Sequence, residues 1–199
     1  MSIALVILAA GQGTRMNSDL PKVLHPLGGA PLVVHALKSG AALAPERTVV
    51  VTGHGGVAVA KAARGWDPDI LIAEQAEQLG TAHAVAQAKA ALEGFSGDIV
   101  VLYGDTPFIS GETLEALAAA RAAHDVVVLG FEAADPGRYG RLVTTGDRLE
   151  RIVEFKDASE AERAITLCNS GVLTADAATL ISLIEAVGNG RHAEKIAKA

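Results

Sequence analysis

The stretch that most restricts this chain is an unbroken apolar run, Ile3-Ala-Leu-Val-Ile-Leu8, which passes through Ala9 and Ala10 into Gly11-Gln12-Gly13-Thr14-Arg15-Met16. A run with no polar alternation has no face for water, so it reads as a strand buried on both sides and closed by a glycine-rich turn. Gly11 and Gly13 allow backbone angles and close approaches that a β-carbon blocks, so amide N–H groups can point at an anion. Arg15 and, just after Pro21, Lys22 add positive charge beside those amides. A glycine turn alone is common punctuation after a strand, but the two cations and the proline at these spacings favour a polyphosphate cradle. It is neither of the two commonest ones. GxxxxGK[ST] is missing, and Met16 stands where the third glycine of GxGxxG belongs.

The same alternation continues. Residues 31–43 read as a helix, 48–52 as a buried strand, and a Gly53-His54-Gly55-Gly56 turn leads into a helix through residue 63. A short strand over 70–73, a polar loop over 74–80 and an alanine-rich helix over 81–92 follow. Residues 98–103 form a further apolar strand, and 110–124 a helix with Ser110 as N-cap and acids in its first turns. Strand then helix four times over implies a doubly wound, Rossmann-like α/β fold on a mostly parallel sheet. The second half departs from this. A strand over 125–131 precedes two strand-like segments flanking Gly146-Asp147, which read as a hairpin, so this portion is antiparallel. A strand over 165–174 and an amphipathic helix over 176–187 complete the pattern.

Half of the 199 residues are hydrophobic and a fifth are charged, enough for one domain with a sizeable core. A net charge of −6 with both signs scattered argues against a nucleic-acid partner. The apolar start is too short for a membrane span and lacks the basic flank of a signal peptide, so a cytoplasmic location is expected. The single cysteine, Cys168, excludes an internal disulfide and reads as a small buried side chain. The six histidines show no metal-binding spacing, and His54 reads as part of a turn. No nucleophile motif is present.

Ligands of open parallel sheets sit outside the carboxyl ends of the strands, where strand order reverses. Three strand ends carry suitable chemistry. The first is the Gly11–Arg15 turn. The second is Tyr103-Gly104-Asp105, where Asp105 is either a turn former or, beside a phosphate loop, a ligand for Mg²⁺. The third is Gln75-Ala-Glu-Gln78-Leu-Gly80-Thr81, either a surface loop with Thr81 as helix cap or a set of groups that pair with a base edge. In the back half, Gly140, Glu154 with Lys156, and Asn169 each suit turn or surface chemistry one by one. As a set, they offer groups for sugar hydroxyls and a phosphate.

LAAGQGTRM, PKVLHPLGG, EQLGTAHA, LYGDTP, YGR, VEFKDA and CNSG fall in the order and spacing of the sugar-phosphate nucleotidyltransferases. Over about residues 3–187 the chain resembles the GlmU-type branch, the bacterial N-acetylglucosamine-1-phosphate uridylyltransferases. The resemblance implies that Leu8, Ala9, Ala10 and Gly11 hold the nucleotide through backbone groups, with Arg15 and Lys22 on its triphosphate. It implies that Gln75, Gly80 and Thr81 read uracil, that Tyr103 and Gly104 lie against the nucleotide sugar, and that Asp105 binds Mg²⁺. Gly140, Glu154 and Asn169 are implied to hold the N-acetylglucosamine moiety. The substrates so implied are UTP and N-acetylglucosamine-1-phosphate. Arg15, Lys22 and Asp105 would be catalytic.

Residues 1–187 are thus expected to form the nucleotidyltransferase domain, while 188–199 do not match the family's pattern. The family's β-helix acetyltransferase domain and second metal-binding Asn are not found in the sequence, so a monomer is expected. Two alternatives accompany this reading: a nucleotidyltransferase for another sugar-1-phosphate, and a nucleotide-sugar-binding protein with little turnover. A dinucleotide-dependent oxidoreductase is disfavoured by Met16.

Overall fold

A computed structural model of the chain describes residues 2–11, 13 and 16–187. Arg15 and the non-matching segment 188–199 lie outside the described residues.

The opening apolar run forms β1 (Ile3–Ala9), the central strand of the molecule. It pairs in parallel with β4 (Arg47–Thr52) on one side and with β6 (Asp98–Tyr103) on the other. β5 (Leu71–Glu74) extends the parallel part beyond β4. Side chains of β1 alternate between two apolar layers, as its two-sided burial requires. Leu5, Ile7 and Ala9 meet α1 (Leu32–Ala41), α2 (Gly56–Trp66) and α4 (Gly111–Ala120) on one face. Ala4, Val6 and Leu8 meet α3 (Thr81–Gln87) and α6 (Ala177–Val187) on the other. Each fully buried Leu or Ile contributes ~1.5–3 kcal/mol, which fixes the strand firmly beneath the turn it carries.

The antiparallel portion is built on β10 (Leu167–Asp176), which pairs with β6, β7 (Val126–Glu132) and β8 (Arg141–Thr145). β8 and β9 (Arg148–Val153) form the hairpin around Gly146-Asp147, and a single-turn helix, α5 (Glu160–Arg163), separates β9 from β10. The doubly wound α/β class with an antiparallel back portion is therefore observed. The ladder from β10 to β7 shifts register between Asn169 and Leu173. On the other edge of β10, Cys168 pairs with β8, whereas residues from Leu173 onward pair with β6. The sheet thus parts between the end of β6 and the start of β8. Cys168 is fully buried at that point, as its apolar surroundings suggest.

Three local expectations change. Pro31 belongs to a two-residue ribbon, β2 (Pro26–Leu27) with β3 (Ala30–Pro31), so the helix expected over 31–43 runs only from Leu32 to Ala41. The ring of Pro31 fixes an extended approach to the helix rather than its first turn. The expected helix over 81–92 ends at Gln87 and resumes as a 3₁₀ turn at Ala90–Leu92. Finally, the residue before that helix is Gly80, so Thr81 is its first residue and not its cap. Ser110 does cap α4, its hydroxyl accepting from the Thr113 N–H at 3.1 Å.

Among the described residues, no helix is long and apolar enough to cross a membrane.

Candidate active site

A cavity of about 360 Å³ opens at the carboxyl ends of β1, β5 and β6. It lies next to β1, where strand order reverses, the position that sheet topology favours for a ligand. Its floor is Leu8, Ala10, Gly11 and Gly13, and its far walls are Gln75, Gln78, Gly80 and Thr81 on one side and Tyr103 and Asp105 on the other. Lys22, Val23 and Ala84 complete the lining.

Lys22 owes its place to two neighbours. Pro21 leads into a 3₁₀ turn, Lys22–Leu24, whose Val23 is buried in the core. Gly13, at φ +63°, leaves 2.7 Å between the position of a β-carbon and Cβ of Lys22. Any side chain at Gly13 would be strained and would displace Lys22. The ammonium then reaches across to Asp105, with Nζ 2.6 Å from Oδ2. Asp105 follows β6 directly, because the Gly104 N–H donates to the Leu8 carbonyl at 2.9 Å and prolongs the β1–β6 pairing by one residue. The two side chains are 42% and 26% exposed, so both are open to a ligand.

The loop over 75–80 is tied down over the first turn. Gln78 Nε2 donates to the Ala10 carbonyl at 2.6 Å, and the Gln75 N–H donates to the Thr52 carbonyl at 2.7 Å. Across the cavity Thr81 Oγ1 and the Tyr103 hydroxyl are 3.2 Å apart.

Burial pushes the Tyr103 phenol above its ordinary value of 10.0; the Thr81 hydrogen bond opposes this, and the charges of Asp105 and Glu154 add to it. The folded chain keeps this proton after the unfolded chain has lost it, so stability falls as pH rises through and above 10. Tyr139→Phe leaves Tyr103 as the one tyrosine of the chain. In that variant, absorbance at the phenolate band should rise only above pH 10 while the protein is folded. Ionisation at or below 10 would contradict the burial described.

Not every expected site residue lines this cavity. Ala9 turns its side chain into the core, and Gly104 packs behind the cavity against Leu8 and Val23. Gly140, Glu154 and Asn169 form a second group across Tyr103. The Gly140 carbonyl accepts from the Asn169 N–H at 2.8 Å, and a β-carbon at Gly140 would sit 3.3 Å from Glu154 Oε1. Asn169 Oδ1 accepts from the Gly171 N–H at 2.9 Å. Gly171, at φ +82°, lies in the β10 irregularity, and a β-carbon there would collide with the Tyr103 ring. Tyr103 therefore stands between the two groups. Lys156 is exposed, and among the described residues its ion pair is with Asp157, at 3.9 Å. His83 carries a polar contact at this site that the sequence motifs did not single out.

A glycine turn and an ammonium opposite a carboxylate, at the ends of parallel strands, make a place suited to a phosphate group. Residues 5–171 match the MobA-like NTP transferase domain, and the chain belongs to that family. The bifunctional protein GlmU of Ruegeria pomeroyi is 67% identical over 189 residues, which are 95% of this chain and 42% of that protein. GlmU of Roseobacter denitrificans is 64% identical over 193 residues, 97% of this chain and 43% of that protein. The GlmU-type resemblance carried by the motifs is thus borne out, and the chain spans about two fifths of the length of these relatives. Among solved structures, a Bacillus anthracis protein provisionally described as a glucose-1-phosphate thymidylyltransferase superposes with a TM-score of 0.78 at 20% identity. That match covers 95% of this chain and 78% of the other. HddC of Yersinia pseudotuberculosis, complexed with GMP-PN, gives 0.73 at 21% identity over 95% of this chain and 81% of its own. At such identities the likeness is one of fold.

Proposed function

We propose that this chain is a uridylyltransferase forming UDP-N-acetylglucosamine and pyrophosphate from UTP and N-acetylglucosamine-1-phosphate, a step in making cell-wall precursors. The observation that carries the reading is the meeting of the first turn, Lys22 and Asp105 in one cavity that also holds Gln75, Gly80 and Thr81. In this reading the triphosphate lies on Leu8 to Gly11 beside Lys22 and Arg15, and the uracil meets Gln75, Gly80 and Thr81. The nucleotide sugar lies against Tyr103, with Gly104 behind it, and the sugar phosphate lies toward Gly140, Glu154 and Asn169.

A sugar phosphate already carries an ionised oxygen at neutral pH, so the chain needs no general base. Its task is to align that oxygen with the α-phosphorus and to neutralise charge on the departing pyrophosphate. The Lys22 ammonium, half exposed on the cavity wall, is placed for the second. Asp105 suits a hard cation, since its carboxylate faces the cavity and already holds a cationic group at 2.6 Å. Mg²⁺ commonly uses one or two carboxylates together with substrate phosphates. That fits a site where, among the described residues, no group of three or more metal-ligating side chains occurs. When bound, the ion would draw charge from the phosphate oxygens.

Pyrophosphate release from UTP and N-acetylglucosamine-1-phosphate, with Mg²⁺ and again after chelation with EDTA, tests this directly. Release that stops on chelation and returns with added Mg²⁺ is expected. UTP binding without any release would make the chain a nucleotide-binding relative instead. Release with another sugar-1-phosphate alone would move the proposal within the family.

A further inference from the structure

The loop that leads into α3 contains a buried amide whose orientation is set from behind. Gln75 is only 4% exposed, yet it lines the cavity. Its Nε2 lies 3.1 Å from the Gly80 carbonyl oxygen and 3.0 Å from His83 Nδ1. A carbonyl oxygen can only accept, so the atom facing Gly80 must be the amide nitrogen. Its second hydrogen points at His83 Nδ1, which must therefore accept, and the ring proton then sits on Nε2.

The far side of the ring is consistent with that tautomer. The Gln87 amide nitrogen lies 3.1 Å from His83 Nε2 and 3.1 Å from the His83 carbonyl. A neutral imidazole has one acceptor and cannot serve two amide nitrogens. Gln75 is buried with an acceptor for each of its hydrogens, whereas Gln87 is half-buried and free to turn. The His83 carbonyl loses little when Gln87 turns, because a helix supplies it with a backbone N–H four residues on. Half a rotation of the Gln87 amide presents its oxygen to Nε2–H, and both sides of the ring are satisfied. With both hydrogens of Gln75 engaged, its Oε1 is the one polar atom of the amide left to a ligand, with no partner among the described residues.

We infer that His83 is a specificity-determining positioning residue, which holds the Gln75 amide with its nitrogen turned inward and its oxygen offered to the cavity as an acceptor. The inference rests on the proposal that Gln75 meets the nucleobase. An acceptor there takes a base whose ring edge presents an N–H, as uracil does at N3, and opposes a lone pair, as cytosine presents at the same atom. Without His83, one amide hydrogen loses its partner, the amide turns more freely, and the choice between the two bases weakens.

The test is calorimetric binding of UTP and of CTP to the whole chain and its variants, which needs no turnover. The wild type should prefer UTP by about 10²-fold or more, as sites built around a substrate N–H do. His83→Asn places an oxygen where Nδ1 was and should keep that ratio. His83→Leu fills the same space without an acceptor and should cut the ratio at least tenfold, by roughly the worth of one buried hydrogen bond. A merely structural histidine would weaken both nucleotides together and leave the ratio alone. A folded His83→Leu with the wild-type ratio overturns the inference. Should that variant not fold, His83→Ala takes its place: the same tenfold loss is expected, and an unchanged ratio overturns the inference equally. A wild type that binds UTP and CTP alike is a different result, since it removes the uracil reading of Gln75 and this inference with it.

Discussion

Alanine in place of either Lys22 or Asp105 should lower turnover by about 10²–10³-fold, the loss that follows removal of one electrostatic partner of a developing charge. The fold should scarcely notice. The pair joins two half-exposed side chains at 2.6 Å, and pairs of that exposure are worth roughly 0–1 kcal/mol once solvent screens them. The two effects therefore separate by size: a few kcal/mol in the barrier against less than about one in stability. Steady-state pyrophosphate release and a thermal melt on each variant measure both. Because the two groups pair at 2.6 Å in one cavity, the double variant should lose far less than the product of the single losses. Near-normal turnover in either single variant would remove the roles given to this pair.

Much of that site could be read in advance because each part announces itself locally. An apolar run with no alternation fixes β1, Gly146-Asp147 between two strand-like segments fixes the hairpin, and Ser110 ahead of an acid-rich turn fixes a cap. Of the motif residues, Gly11, Gln75, Tyr103 and Asp105 stand at or just past the ends of parallel strands, and Lys22, Gly80 and Thr81 join them in one cavity.

Most of what escapes the sequence has no local mark. β10 serves β8 with one half and β6 with the other, a choice made by pairing partners far away in the chain. His83 lies on an ordinary helix, and its value depends on a glutamine eight residues back, across a loop whose path the sequence does not show. Ser159-Glu-Ala-Glu162 does carry a local mark, being a capping box at the head of α5. The Ser159 hydroxyl, then Arg151 and the Ser159 N–H, hold the Glu162 carboxyl down at about 2.

Arg141 is likewise set by distant partners, and it gives the second large effect. In the sequence it is the last letter of a YGR motif beside a strand, and a solvated arginine is the ordinary expectation. In the fold it is 2% exposed and meets no carboxylate among the described residues. Its guanidinium donates instead to backbone carbonyls: Tyr139, Gly137 at 3.1 Å, Arg163 at 3.2 Å and, more weakly, Pro136 at 3.5 Å. It thus gathers the loop over 136–140 against the end of α5, with the Phe155 ring 5.8 Å away. Arg141→Ala should cost about 3 kcal/mol, from the space vacated and from carbonyls left without a donor. For a chain of this size that is a fall of roughly 6–12 °C in Tm. Arg141→Lys keeps the charge but not the planar fork, which alone reaches several carbonyls at once, so it should recover only a minor part. The loop carries Gly140, whose carbonyl receives the Asn169 N–H. Under the proposed function, in which Gly140 holds the sugar and UTP lies on the first turn, the lysine variant should raise KM for the sugar phosphate while leaving UTP affinity near its original value, because the first turn and the loop over 75–80 do not rest on Arg141. Equal weakening of both substrates would place Arg141 beneath the whole fold rather than beneath the sugar side.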